Sequence, residues 1–280
     1  MRAKQGYALV GLLGVLVLGS PTLGEAQWVL YDNFNAASTN PDRWSANFAT
    51  GGHSNPTLDI SNLVKGGKLF LGLTQYGLTT TNSGTSGGSA RLQVVNHPET
   101  IIGLQAGAKV TQATVDTCLL NTSTGIRARA QVVGGFFNDG SGGGSNRTGD
   151  IIAGIQQIQD TILGNVFQAF IVRCANATCS STATITGGAG AFITTWQLGE
   201  AHTMNVLWNK PNKQFDFKVV RGTSGAQEDI TLTYTESDST LPGDNFKQLT
   251  VNNSAANCTG SRPLSIFGVL YDNVMLQRTP

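Results

Sequence analysis

The sequence predicts an all-β protein, a two-sheet antiparallel β-sandwich. Short runs alternate apolar and polar residues with period two, and clusters of Gly, Asn, Ser and Thr separate them. The 280 residues include 35 Gly, 32 Thr and 21 Asn, which are poor helix formers but good strand and turn residues. No window carries a helical period with caps, and no internal repeat is evident.

The first 26 residues read as a secretory leader. Arg2 and Lys4 form a basic start, Ala8 to Leu18 an apolar core, and Gly24-Glu25-Ala26 sets small residues at a cleavage site before Gln27. The apolar run falls short of the roughly 20 residues of a membrane-spanning helix, and no other segment approaches that length. The expected organisation is a bacterial-type signal peptide, 1–26, and one sandwich domain, 27–280, that is secreted, periplasmic or extracellular.

The strands follow in order. Leu69 to Leu73 enters from the turn Lys65-Gly66-Gly67-Lys68. Ala108 to Leu120 and Gly125 to Phe137 are long candidates rich in Val, Thr and Ala. Ile151 to Gln159 and Val166 to Arg173 flank a turn at Leu163-Gly164-Asn165. Met204 to Trp208 and Phe215 to Val220 flank Asn209-Lys210-Pro211-Asn212, and the last strand runs from about Leu264 to Leu276. Thr79 to Gly88 and Asn138 to Gly149 read as exposed loops. The second holds Gly-Ser-Gly-Gly-Gly-Ser but lacks the Gly-Lys-Ser/Thr ending of a phosphate loop, so it reads as flexible linker. Twelve or more strands in a chain of this length fit two stacked sheets.

Charge narrows the function classes. Only 12% of residues are charged and the net charge is +1; a typical soluble domain has about 25% charged residues. A protein that neutralises phosphates needs clustered Lys and Arg, so nucleic acid is not the expected partner. At 40% hydrophobic residues, the chain is not of the disordered class.

Four cysteines, Cys118, Cys174, Cys179 and Cys258, agree with an oxidising compartment and allow three pairings. Cys174 and Cys179 bound a short polar loop that closes easily, leaving Cys118 for Cys258. A zinc site is disfavoured because paired C-x-x-C spacing and a nearby His are missing.

Several pieces, in order, resemble the concanavalin A-like lectin/glucanase superfamily and its laminin-G-like relatives. Tyr31-Asp32-Asn33-Phe34 before Pro41-Asp42-Arg43-Trp44 is similar to the opening of many such domains, and Val64-Lys65-Gly66-Gly67-Lys68-Leu69 to one of their turns. His202 to Trp208 followed by Phe215 to Val219 resembles the laminin-G-like hairpin, and Tyr271-Asp272-Asn273-Val274 the closing strand. The resemblance implies a jelly roll whose concave sheet often holds glycans.

The acids of a glucanase are not complete. Hydrolysis needs two carboxylates flanking the scissile bond. Glu236-Ser237-Asp238 starts the family's E-x-D-x-E pattern, but position 240 is Thr and position 241 is Leu, and after residue 26 only Glu99, Glu200, Glu228 and Glu236 remain. No Gly-x-Ser-x-Gly elbow supports serine hydrolysis.

Polysaccharide lyases on related jelly rolls use Arg and Gln to hold a uronate and Tyr or His to move the proton. Here Arg91 and Gln93 alternate on one strand, Arg127, Arg129 and Gln131 on another, and Gln157 and Gln159 on a third. Alternate residues share a face, so these rows offer hydrogen-bond donors, but His53, His97 and His202 lie far apart. The rows read either as an ordinary solvated sheet face or as a shallow glycan-binding face.

Trp208 could stack on a sugar, although Met204 and Val206 share its face, as in a core. Trp44 and Trp196 read as edge plugs, and His202 with Glu200 either as a proton-relay pair or as an ordinary surface pair. Asp32 and Asp272 repeat the motif Tyr-Asp-Asn, and some superfamily members hold a structural calcium nearby. Two Asp and two Asn supply part of the six to eight oxygens calcium takes, and edge-strand polarity is the other reading. The expectation is a secreted, non-catalytic module that binds polysaccharide or glycan or serves a structural envelope role. A lyase or hydrolase with a non-standard site is the alternative. Ligand and oligomeric state stay open.

Overall fold

A computed structural model describes residues 26–47, 58–79, 85–118, 126–185 and 191–279. The leader reading, all but Ala26, lies outside the described residues.

The chain forms the expected two-sheet antiparallel sandwich. The first sheet orders its strands β14 (Gln227–Thr233), β13 (Gln214–Arg221), β12 (Ala201–Asn209), β6 (Ile101–Val115), β16 (Leu264–Arg278), β4 (Lys68–Tyr76) and β3 (Leu58–Lys65). Strand β1 (Trp28–Asp32) also pairs with β16. The second sheet orders β10 (Thr182–Thr184), β9 (Gly164–Cys174), β8 (Asp150–Asp160), β7 (Arg127–Asn138), β15 (Lys247–Ala256), β5 (Thr85–Val94) and β2 (Trp44–Asn47). Strand β11 (Ala191–Thr195) pairs with β9. Among the described residues no helix is long and apolar enough to cross a membrane.

Alternation explains the core. Leu69, Leu71 and Leu73 of β4, Ala128, Ala130 and Val132 of β7, and Met204 and Val206 of β12 turn inward, every second residue, and join one cluster with Phe215, Phe217 and Phe267. Trp44 and Trp196 are buried in it, as edge plugs should be. Tyr271 of β16 ties the sheets together. Its hydroxyl donates to Thr250 O at 2.9 Å and accepts from Gln131 N at 3.1 Å, on β15 and β7. Burial raises its pKa, so it stays a neutral donor.

Both disulfides are present, Cys118–Cys258 and Cys174–Cys179. The first closes 140 residues of chain, a constraint on the unfolded state of about 5 kcal/mol in the chain-entropy model.

Four expectations need correction. Residues 85–88 of the expected loop Thr79 to Gly88 begin β5. A Cβ at Gly88 would sit 2.7 Å from Leu58 Cδ1, so this position packs closely against the Leu58 side chain of β3. The Gly-Ser loop after β7 is an ordered structure, not a linker. Asn138 Oδ1 accepts from Gly140 N (2.8 Å) and Gly142 N (3.3 Å), while its Nδ2 donates to Thr148 O (2.9 Å) and Asp150 Oδ1 (2.8 Å). His202 is buried, not a surface residue, with its ring 4.8 Å from that of Phe167 and Nε2 3.2 Å from Glu200 Oε2. Gln157 turns inward with Ile155, away from the face of Arg129 and Gln131.

Candidate functional site

The outer face of the second sheet carries a polar row across five strands. Arg91 of β5 lies beside Thr250 of β15, Thr250 beside Gln131 of β7, Gln131 beside Gln156 of β8, and Gln156 beside Gln168 of β9. A neighbouring row runs from Ser89 through Asn252 to Arg129. Cross-strand neighbours on one face lie about 5 Å apart, close enough for side-chain hydrogen bonds.

Those bonds form a chain of amides. Asn252 Nδ2 donates to Gln131 Oε1 at 2.5 Å, Gln131 Nε2 to Gln156 Oε1 at 2.9 Å, and Gln156 Nε2 to Gln168 Oε1 at 2.7 Å. Arg129 Nη1 also donates to Gln156 Oε1, at 3.3 Å. Among the described residues the Thr250 hydroxyl, buried mid-row, has no partner. Amides so linked hold one another's rotamers and present fixed donors.

Arg91, Gln93, Arg129, Gln131, Gln248 and Asn252 line a cleft of about 270 Å³ on this face. Val133, Ile152, Phe170 and Phe246 supply its apolar patches, and Cys179 and Thr182 one margin. Arg147, also in the lining, closes another side. Its Nη1 pairs with Asp244 at 3.1 Å and its guanidinium lies 5.5 Å from the Phe246 ring centroid. Asp150, buried beneath, accepts from Gly243 N at 2.7 Å and so joins the loop before β8 to the segment before β15.

The electrostatics are one-sided. Burial lowers the pKa of Arg91, with Arg147 adding to it; burial does the same to Arg129, with Arg127 adding. A guanidinium remains a cation even so. Among the described residues neither Arg91 nor Arg129 pairs with a carboxylate, while Arg147 does. Among the described residues the lining holds one acid, Asp244, and no His, Tyr, Lys or Glu. Such a cleft can hold an anion or hydroxyl-rich ligand by N–H donation, and Asp244, the acid in its lining, is paired with Arg147.

Four of the sequence candidates thus come together: Arg91, Gln93, Arg129 and Gln131. Arg127 shares their face but sits outside the lining, with Nε bonded to Asp160 at 2.5 Å. Gln157 is excluded by its inward side chain, and Gln156 takes the place expected of it. Trp208 lies elsewhere, stacked on Phe137 at 5.2 Å with Nε1 donating to the Tyr234 hydroxyl at 2.8 Å. The sequence reading missed Arg147, Gln156, Gln248 and Asn252. The apolar period Ile151-x-Ala153-x-Ile155 could have found Gln156, since it puts even positions outward.

Asp32 and Asp272 do not fit a calcium ion. Asp32 Oδ1 accepts from Phe34 N at 2.8 Å and Oδ2 from Trp44 Nε1 at 2.7 Å. Asp272 pairs with the Lys68 ammonium. Donors occupy the oxygens that a cation would need, and among the described residues no group of three or more His, Cys, Asp or Glu comes together.

No family model and no curated protein matches the chain. Solved structures similar to it include lectin II from Ulex europaeus, at 13% identity over 88% of this chain and 97% of that one, with a TM-score of 0.39. Alginate lyase Aly36B is similar at 13% identity over 90% and 96%, TM-score 0.39. The CBM2 module of the evolved Dit of Lactobacillus casei BL23 phage J-1 is similar at 9% identity over 82% and 97%, TM-score 0.39. All three likenesses are at low identity and low TM-score.

Proposed function

We propose that this protein is a secreted, non-catalytic carbohydrate-binding module, one sandwich domain after removal of residues 1–26, whose cleft holds an acidic polysaccharide. One observation carries the reading: Arg91 and Arg129 converge on a cleft lined by amides, and among the described residues neither guanidinium has a carboxylate partner. A sugar carboxylate supplies that partner, and the fork of N–H donors suits its two oxygens. Gln93, Gln131, Gln248 and Asn252 match ring hydroxyls, which both donate and accept. Binding is favoured over cleavage because Asp244, the acid in the described lining, is held in an ion pair by Arg147.

Affinity electrophoresis through polygalacturonate, alginate and uncharged dextran tests this. Retention by at least one uronate polymer and none by dextran is expected, with a loss of tenfold or more in Arg91→Ala/Arg129→Ala. Free passage of the wild type, or equal retention of the variant, overturns the reading. Release of reducing ends or unsaturated product would replace it with the lyase or hydrolase alternative.

A further inference from the structure

A second cavity opens at one end of the sandwich, on residues the cleft does not use. It measures about 740 Å³, within the roughly 300–1,000 Å³ usual for small-molecule sites. Phe136, Trp208, Ile102, Pro211 and Leu241 give it apolar walls. Leu241 is 62% exposed at the rim.

Trp208 is held as a fixed plate. Phe137 stacks on it with planes 21° apart, Phe136 meets it at 64°, and its Nε1–H is used by Tyr234, whose hydroxyl donates to Asp238 Oδ2 at 2.7 Å. With its polar tip engaged, the ring offers the cavity apolar surface only. Lys210 Nζ lies over the ring, 5.4 Å from its centroid. It is an exposed side chain that can move aside and donate to an incoming oxygen.

The polar groups set the ligand class. Glu99 and Asp238 face Lys210 and Lys213 in the same lining, so the cavity has no excess charge to attract an ion. Ser239, Thr240 and Thr279 add hydroxyls. A neutral pyranose has the matching form, one C–H face for the indole and a rim of hydroxyls for mixed donors and acceptors. We propose that the Trp208 cavity is a separate site for a neutral sugar unit.

The test follows the indole N–H signal of Trp208, assigned by its absence in Trp208→Phe, during titration with cellohexaose, laminarihexaose, mannohexaose and xylohexaose. Saturable movement of that signal with at least one of them is expected. Lys210→Ala/Ser239→Ala should weaken binding about threefold, and Trp208→Phe, followed by calorimetric titration because it lacks the signal, should weaken it to a similar degree while keeping the packing on Phe137. The Arg91→Ala/Arg129→Ala protein should respond as the wild type does, which separates this site from the acidic-glycan cleft. No movement with any of the four sugars, or movement lost in Arg91→Ala/Arg129→Ala, overturns the proposal.

Discussion

Arg129 and Gln156 meet across β7 and β8, with Arg129 Nη1 donating to Gln156 Oε1 at 3.3 Å. Gln131, two residues further along β7 on the same face, donates to the same oxygen. One amide oxygen thus orients a cation and a neutral donor of the cleft together. Gln156→Leu keeps the size and removes that acceptor. Affinity for the retaining uronate polymer should fall about fivefold to tenfold, near 1 kcal/mol, with a melting temperature close to wild type. An unchanged affinity in calorimetric titration would show that the amide chain does not organise the cleft.

Gln157 is the inverse case. Its side chain is 0% exposed, and among the described residues neither amide atom has a partner. A buried unpaired polar group costs about 1–3 kcal/mol. Gln157→Met, similar in length and without an amide, should raise the melting temperature and leave uronate affinity as it was. Thermal unfolding that shows a loss instead would mean the amide is satisfied in solution.

These two glutamines show what could be read in advance. Period-two alternation made the strands of the core legible, because Leu69, Leu71 and Leu73 or Met204 and Val206 fall on one face in any antiparallel sheet. The cysteine spacing was equally direct. On β8 the pattern is blurred, since Ile152 and Ile158 are apolar on the outer face and Gln157 is polar on the inner one. Strand β15 was invisible for a related reason. Its Asn252-Asn253-Ser254 has low strand propensity, and Asn253 is kept in the core by donating to Leu73 O at 2.7 Å. The cleft depends on that strand and on Arg147 from a loop, so only the Arg and Gln of β5 and β7 were legible from the sequence.

The Cys174–Cys179 bond bears on the cleft more than on stability. Cys179 lines the cleft, and Ala177 O, inside the short loop, accepts from Arg147 N at 3.0 Å. Cys174→Ala/Cys179→Ala closes no long loop and should cost about 1–2 kcal/mol, yet reduce uronate affinity severalfold by freeing the wall that carries Arg147. Cys118→Ala/Cys258→Ala should do the opposite, costing about 2–5 kcal/mol with little change in affinity for whatever remains folded. Denaturation curves and binding titrations on the two variants, run side by side, distinguish the roles. Equal losses of affinity would contradict them.

Lys247 makes stability depend on pH. Its side chain is 1% exposed and passes over Gly134, where a Cβ would sit 2.3 Å from Lys247 Cδ. Its ammonium donates to Gly135 O and lies 4.4 Å from the Phe136 ring centroid. Burial nevertheless lowers its pKa to about 7, against Glu99 and Asp244, which favour the charge. In the unfolded chain the amine holds its proton up to about pH 10.4. Between those values the unfolded state binds more protons, so stability rises with pH across that window and levels off below it. Denaturant midpoints should therefore climb from pH 7.5 to 9.5 in the wild type. Lys247→Met, which fills the same space without a titrating group, should show a flatter profile. Parallel profiles for the two proteins would mean that Lys247 keeps its proton in the fold, held by the carbonyl and ring around it.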